Sequence, residues 1–283
     1  MKTLAKRVLR GGSTFFRRLI PLRGRRRIVA WLGRHAWIPY RDVVSIELLR
    51  DFAEREPNEA HRFLWAHHLA YAESYEVERR FGADRINETR HMLFADLRAY
   101  LMDQGVDPAV DIRSVFEVGC SLGYLLRHLE TTMFTSATSI EGVDIDRYAI
   151  EQGSAHLGVL GSKVNLRTFD IADLETALSG RTVDVILCLG VLLYLPQADA
   201  HEVVRAILRH TGVVAAFAGL AHPTRDNATL HASVIRDRDA TFIHDIDEMV
   251  NDGGGSVAWR RWEGPRLVDG NTVYFVFARP STR

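Results

Sequence analysis

The sequence predicts an α/β fold: a doubly wound, mainly parallel sheet of seven strands with a C-terminal antiparallel hairpin, preceded by an N-terminal helical extension. Three observations carry this. From residue 111 onward, short apolar runs alternate with helical patterns, the texture of parallel strands joined by crossover helices. The last two runs, SVAWRRWEG and NTVYFVFAR, are joined by a short turn region containing Asp269-Gly270, a connection that makes an antiparallel pair. Residues 42–110 carry apolar residues near a helical period and no strand pattern.

The strands and helices alternate in order. SVFEV precedes GYLLRHLE; SIEGVD precedes RYAIEQGSAHLG; KVNLRTF precedes a helical turn near IADLETAL; VDVILCL precedes DAHEVVRAILRH. VVAAFAG follows, then a long polar stretch, the helical IDEMVNDGGG and the two hairpin strands. In the extension, VVSIELLRDFAERE reads as one helix, and EAHRFLWAHHLAYAESYEVERRF follows Pro57 as another. NETRHMLFADLRAYLMDQG opens at Asn87, an N-cap residue type, and closes at Gly105, the residue type that ends helices. The expected divisions are an arm (1–41), a helical cap (42–110) and a ligand-binding α/β domain (111–283).

Zero net charge hides an asymmetry. Twelve of the 36 basic residues lie in residues 1–41, and no acid precedes Asp42. The remainder holds 24 basic against 36 acidic residues. The arm interleaves its arginines with Phe15, Phe16, Leu19, Ile28, Trp31 and Trp37. One reading is an amphipathic arm on an anionic membrane surface; the others are an arm packed on the protein's own body, a disordered tail, or an organelle-targeting segment. The longest apolar run, VILCLGVLLYL at 185–195, is too short to span a bilayer. Two cysteines, Cys120 and Cys188, both in core-like runs, suggest a reducing compartment. With no secretory pattern, the expected location is cytoplasmic, peripheral on the inner face of a membrane where the arm binds lipid.

The chemistry centres on GCSLG at 119–123, between the first strand and its helix. Three readings compete. A nucleophile elbow (G-x-S-x-G) needs strands before it and an HGGG-like loop, and neither is present. A dinucleotide turn needs G-x-G-x-x-G, whereas the glycines fall only at 119 and 123. The third reading is a turn that holds S-adenosylmethionine. The segment resembles motif I of class I S-adenosylmethionine-dependent methyltransferases, with Glu117 ending the strand, Gly119 and Gly123 at the outer glycine positions, Cys120 within the bend and Ser121 in place of the middle glycine. The resemblance covers about residues 111–283 and implies a Rossmann-like sheet. It further implies an acid after the second strand for the ribose hydroxyls, met by Asp144, and one after the third near the adenine amino group, met by Asp170. Ile145 and Ile171 then flank the purine, and Leu189 ends the fourth strand above the methyl donor. Glu117 faces the cofactor's ammonium.

Methyl transfer from a sulfonium needs alignment and removal of a proton from a hydroxyl acceptor. Acceptor contacts are expected from the N-terminal helices, the loop after the fourth strand, where Tyr194 sits, and residues 220–247. That last segment supplies His222 and His244 as candidate bases and His231 as a candidate substrate contact. No HExxH or Cys/His spacing suggests a metal. LGVLLYLP replaces the N/D-P-P-Y/F-like motif of nucleic-acid amino-methylating relatives, so a nucleic-acid substrate is disfavoured. The expected function is O-methylation of a small-molecule, lipid-linked or glycan hydroxyl. The alternatives are N-methylation of an amine or amino sugar, and a non-catalytic partner protein of the same fold.

Overall fold

The computed structural model describes residues 12, 13, 15–17, 19–35, 38–69, 77–81, 86–236 and 240–280. After helical residues 12, 13, 15–17 and 19 come α1 (Leu22–Gly33), α2 (Arg41–Arg55), α3 (Pro57–Ala66) and the short α4 (Val77–Arg80). A long fifth helix, α5 (Glu88–Asp103), leads into the sheet. The expected caps hold it: Arg90 N–H donates to Asn87 Oδ1 at 2.9 Å, Gly105 takes φ 74°, and Val106 N–H closes the end on Leu101 O at 2.9 Å.

The sheet strands are β1 (Ser114–Val118), β2 (Ser139–Asp144), β3 (Val164–Thr168), β4 (Val183–Leu189), β5 (Thr211–Gly219) and, after a separate two-strand ribbon β6 (Val234–Ile235) and β7 (Phe242–Ile243), β8 (Gly255–Val268) and β9 (Asn271–Pro280). Their order is β3-β2-β1-β4-β5-β9-β8, and only β9 runs against the others, pairing antiparallel with both β5 and β8. The helices between them are α6 (Tyr124–Thr132), α7 (Arg147–Val159), α8 (Leu174–Leu178), α9 (Gln197–His210) and α10 (Ile246–Asp252). The hairpin turn is Asp269-Gly270 with φ 51° and 76°, the mirror-image turn whose twist matches its strands. Chain order reverses direction between β1 and β4, so a crevice opens at the carboxyl ends of those strands.

Strand side chains alternate between two buried layers. Val115, Val185, Leu187, Val214 and Ala216 face one layer, and Phe116, Val118, Ile186, Cys188 and Phe217 the other. A sheet covered on both faces needs apolar residues at both parities, which is why these strands read as continuous apolar runs. Each fully buried phenylalanine, such as Phe116 or Phe217, contributes about 1.5–3 kcal/mol of burial.

The N-terminal helices form their own core. Val29 and Leu32 of α1 pack on Leu48, Leu49 and Phe52 of α2 and on Ala60 and Leu64 of α3. Arg25 donates to Leu48 O at 2.7 Å and pairs with Asp51. The basic arm is therefore not one unit: its helix 22–33 is seated on the cap, while residues 1–11 lie outside the described part. The helix expected over EAHRFLWAHHLAYAESYEVERRF ends at Ala66, where His68 turns the chain with φ 56°, and residues 70–76 of that span lie outside the described part. Among the described residues, no helix is long and apolar enough to cross a membrane.

Candidate active site

Glu117 ends β1 on the side of the sheet that meets α5, and Asp144 ends the neighbouring β2. Between them the chain bends through 119–123. Gly119 and Gly123 take φ 74° and 75°, where a Cβ is disfavoured. The need for glycine at 119 is also steric, since a Cβ there would collide with Val191 from the loop after β4. Gly123 has a different duty: it starts α6, and a Cβ would strike Leu166. Ser121, at the middle position, also adopts left-handed backbone, φ 52°.

Asp144 closes the bend. Its Oδ2 accepts from Ser121 N–H at 2.8 Å and its Oδ1 from Asp146 N–H at 2.8 Å. Both oxygens keep a second lone pair for ligand hydroxyls. Burial pushes Asp144 up to about 6, against the two backbone donors that favour its charge. Glu117 is pushed higher, to about 8, by burial first and by the nearby Asp144 charge, while Arg90 pulls the other way. Its Oε2 is buried without a hydrogen-bond partner. An orphaned carboxylate oxygen at a cavity wall fits a ligand ammonium.

These groups line one cavity of about 640 Å³, in the size range of small-molecule sites. Of the residues singled out from sequence, it brings together Glu117, Gly119, Cys120, Asp144, Ile145, Asp170, Ile171, Leu189 and Tyr194. Asp170 caps the turn after β3, accepting from Ala172 N–H at 3.0 Å, and pairs with Arg62. Tyr194 packs edge-on against Trp65, ring centroids 5.4 Å apart. Gly123 supports the cavity from behind without lining it.

Sequence reasoning missed several wall residues. Phe169 lies beside Ile171 on the adenine side. Arg90 of α5 is half-buried, donates to Leu189 O at 3.0 Å and lines the same cavity as Glu117, close enough for the two charges to interact. An arginine and a carboxylate lining one cavity suit the two charged ends of an α-amino acid. From the cap, α3 contributes Asn58, Arg62 and Trp65. Asn58 Nδ2 donates to Asp199 at 2.8 Å. Just beyond α3, His68 Nδ1 meets Asp146 Oδ2 at 2.7 Å, and Asp146 also caps α7. In sequence these arginines look like solvated helix faces; only their partners, 99 and 108 residues away, give them a place.

The expected histidine bases do not reach the cavity. Among the described residues, no histidine lines it. His222 Nδ1 accepts Thr224 N–H and Arg225 N–H at 3.2 and 3.1 Å, holding its own turn. His244 is buried. Its Nε2–H donates to Leu192 O at 2.9 Å, so Nδ1 accepts from Ser233 Oγ at 2.6 Å. Burial pushes it down to about 4, so it stays neutral and braces the loop after β4. His231 is exposed and off the cavity. The described part of the 220–247 segment is tied elsewhere: Asn227 bonds Leu220 O, His244 O and Trp262 Nε1, and Arg260 clasps Asp226.

Fold and site together define an adenosyl-ligand methyltransferase domain of class I type. Residues 116–214 match the family model described as a methyltransferase domain. The fold is similar to that of magnesium protoporphyrin IX methyltransferase from Synechocystis PCC 6803, solved with bound SAH (17% identity over 76% of this chain and 97% of that chain, TM-score 0.53). The same enzyme solved with bound SAM matches at 18% identity over 80% and 98% of the two chains, TM-score 0.52. An O-methyltransferase family protein from Burkholderia thailandensis matches more loosely, at 17% identity over 80% and 72%, TM-score 0.47. No curated protein matches the chain by sequence. Residues 116–214 carry a methyltransferase domain, and the fold around it is the one the solved structures hold with SAM or SAH bound.

Proposed function

We propose that the enzyme methylates an oxygen of a small-molecule, lipid-linked or glycan acceptor, and that this oxygen arrives ionised or acidic. The observation that carries this is the makeup of the wall outside the adenosyl residues. It presents Trp65, Tyr124 and Tyr194 with Arg80, and no histidine among the described residues. Arg80 opposes a protonated amine and favours an anionic or acidic oxygen, such as a carboxylate or phenol. The bound cofactor supplies an activated methyl group at sulfur. On the protein side, Glu117 and Arg90 hold the charged ends of the methionyl group, Asp144 the ribose and Asp170 the adenine edge. The aromatic wall excludes water and aligns the acceptor for in-line displacement. An oxygen that is already anionic needs no proton removed, which accounts for transfer without a histidine base.

The test is an acceptor panel of carboxylic acids, phenols, alcohols and primary amines with methyl-labelled S-adenosylmethionine. Label in an oxygen product is expected, released by alkali if it is an ester and retained if it is an ether. Label accumulating in the amines instead would overturn the oxygen assignment.

A further inference from the structure

We propose that the outward faces of the N-terminal helical segments dock this enzyme on an anionic lipid bilayer. This does not rest on the identity of the methyl acceptor.

Two helical faces point the same way in chemistry. In the segment just before α1, Ser13 is buried and Arg17 lies close enough to Asp51 to help hold that carboxyl below its usual range. Phe15, Phe16 and Leu19 take the opposite face and are 62%, 54% and 64% exposed. In α1, Arg25, Val29 and Leu32 turn inward onto α2 and α3. Arg23, Arg27, Trp31 and Arg34, at spacings of four, four and three, turn outward, with Ile28 beside them.

The inward faces are satisfied by the cap, so the outward residues are not needed to hold the helices in place. Five of the 13 large apolar side chains found exposed fall between residues 15 and 31, and they include every exposed phenylalanine and tryptophan among the described residues. Solvent-facing aromatics concentrated in this way mark an interaction surface. The charge is of one sign, since no acid precedes Asp42. Arginine beside phenylalanine, tryptophan and leucine is the chemistry of an interfacial helix: rings enter the acyl boundary and guanidinium groups meet anionic headgroups. A nucleic acid would use the arginines and leave Phe15, Phe16 and Leu19 in water. The face belongs to the unit whose α3 walls the cofactor cavity, so docking holds the active site at the lipid surface.

The test uses the full chain in vesicle sedimentation at about 0.1 M salt, where the screening length is about 10 Å. Phosphatidylcholine vesicles are compared with vesicles carrying about one third phosphatidylglycerol. Retention on the anionic vesicles is expected. Arg23→Ala with Arg27→Ala and Arg34→Ala should weaken it by roughly 5-fold per arginine, on the order of 100-fold together. Phe15→Ser with Phe16→Ser should weaken it independently. All variants should keep wild-type affinity for S-adenosylhomocysteine, which separates lost docking from lost folding. No retention, equal retention on both vesicle types, variants that bind like wild type, or binding to RNA without binding to vesicles would each overturn the proposal.

Discussion

Asp144 accepts the backbone N–H of Ser121 at 2.8 Å, so the acid that ends β2 and the bend that follows β1 are one hydrogen-bonded unit. The acid therefore shapes the bend as well as lining the cavity, and any change to either residue is felt at both.

Asp144→Ala should weaken S-adenosylhomocysteine binding by about 1–3 kcal/mol, the cost of losing charged hydrogen bonds in a buried setting. Calorimetric titration checks it. Affinity equal to wild type would remove Asp144 from the ribose role.

Ser121 holds a left-handed backbone that glycine adopts without steric cost. Ser121→Gly should raise stability by about 0.5–1 kcal/mol, the relief of strain less the added freedom of the unfolded chain. In a thermal melt that is a rise of about 1–4 °C. A fall in melting temperature would mean that the serine side chain makes a contact worth more than the strain.

Glu117 gives a pH signature. Its carboxyl, pushed up to about 8 in the free protein, is protonated at neutral pH. A ligand ammonium favours the charged form, so binding releases a proton, and affinity rises with pH until about 8. The slope can reach tenfold per pH unit. For the free protein, the raised pKa means that stability from this group is full below the ordinary carboxylate range and is lost as pH rises toward 8. Calorimetry at pH 7 in buffers of differing ionisation enthalpy measures the proton released. Glu117→Gln should flatten the profile; an unchanged profile in that variant would assign the proton to another group.

His244 gives the opposite sign. Pushed down to about 4, it is neutral in the fold, and the unfolded chain binds its proton first. Stability should therefore fall as pH drops from about 6.5 toward 4, by up to about 1.4 kcal/mol per pH unit. His244→Ala should remove that component and lower stability by about 1–3 kcal/mol by orphaning Leu192 O and Ser233 Oγ. Denaturant melts across that pH range read both effects. His222→Ala should leave methyl transfer within about twofold of wild type, because ordinary surface substitutions perturb little. A loss of several orders of magnitude would restore His222 as a base.

The sheet was legible because strands buried on both faces appear as unbroken apolar runs, and because Asp269-Gly270 has the residue types its mirror-image turn demands. The adenosyl side was legible because Glu117, Asp144 and Asp170 are fixed by strand ends, which local pattern locates well. The cap side was not. Arg62 and Arg90 sit on helices whose charges surround them in sequence, and their partners Asp170 and Leu189 lie about a hundred residues onward. His244 misled for the same reason: its place before a helix suggested a site, whereas its bonds to Leu192 O and Ser233 bury it in a brace. Histidine type and loop position carry no information about which way a ring faces.

The most direct test of the assignment is titration of the full chain with S-adenosylhomocysteine, in parallel with Glu117→Gln and Asp144→Ala. Saturable binding at one site with a micromolar constant, weakened about fivefold or more in each variant, is the predicted result. No heat at millimolar ligand, or binding that ignores both substitutions, would contradict an adenosyl site between β1 and β2.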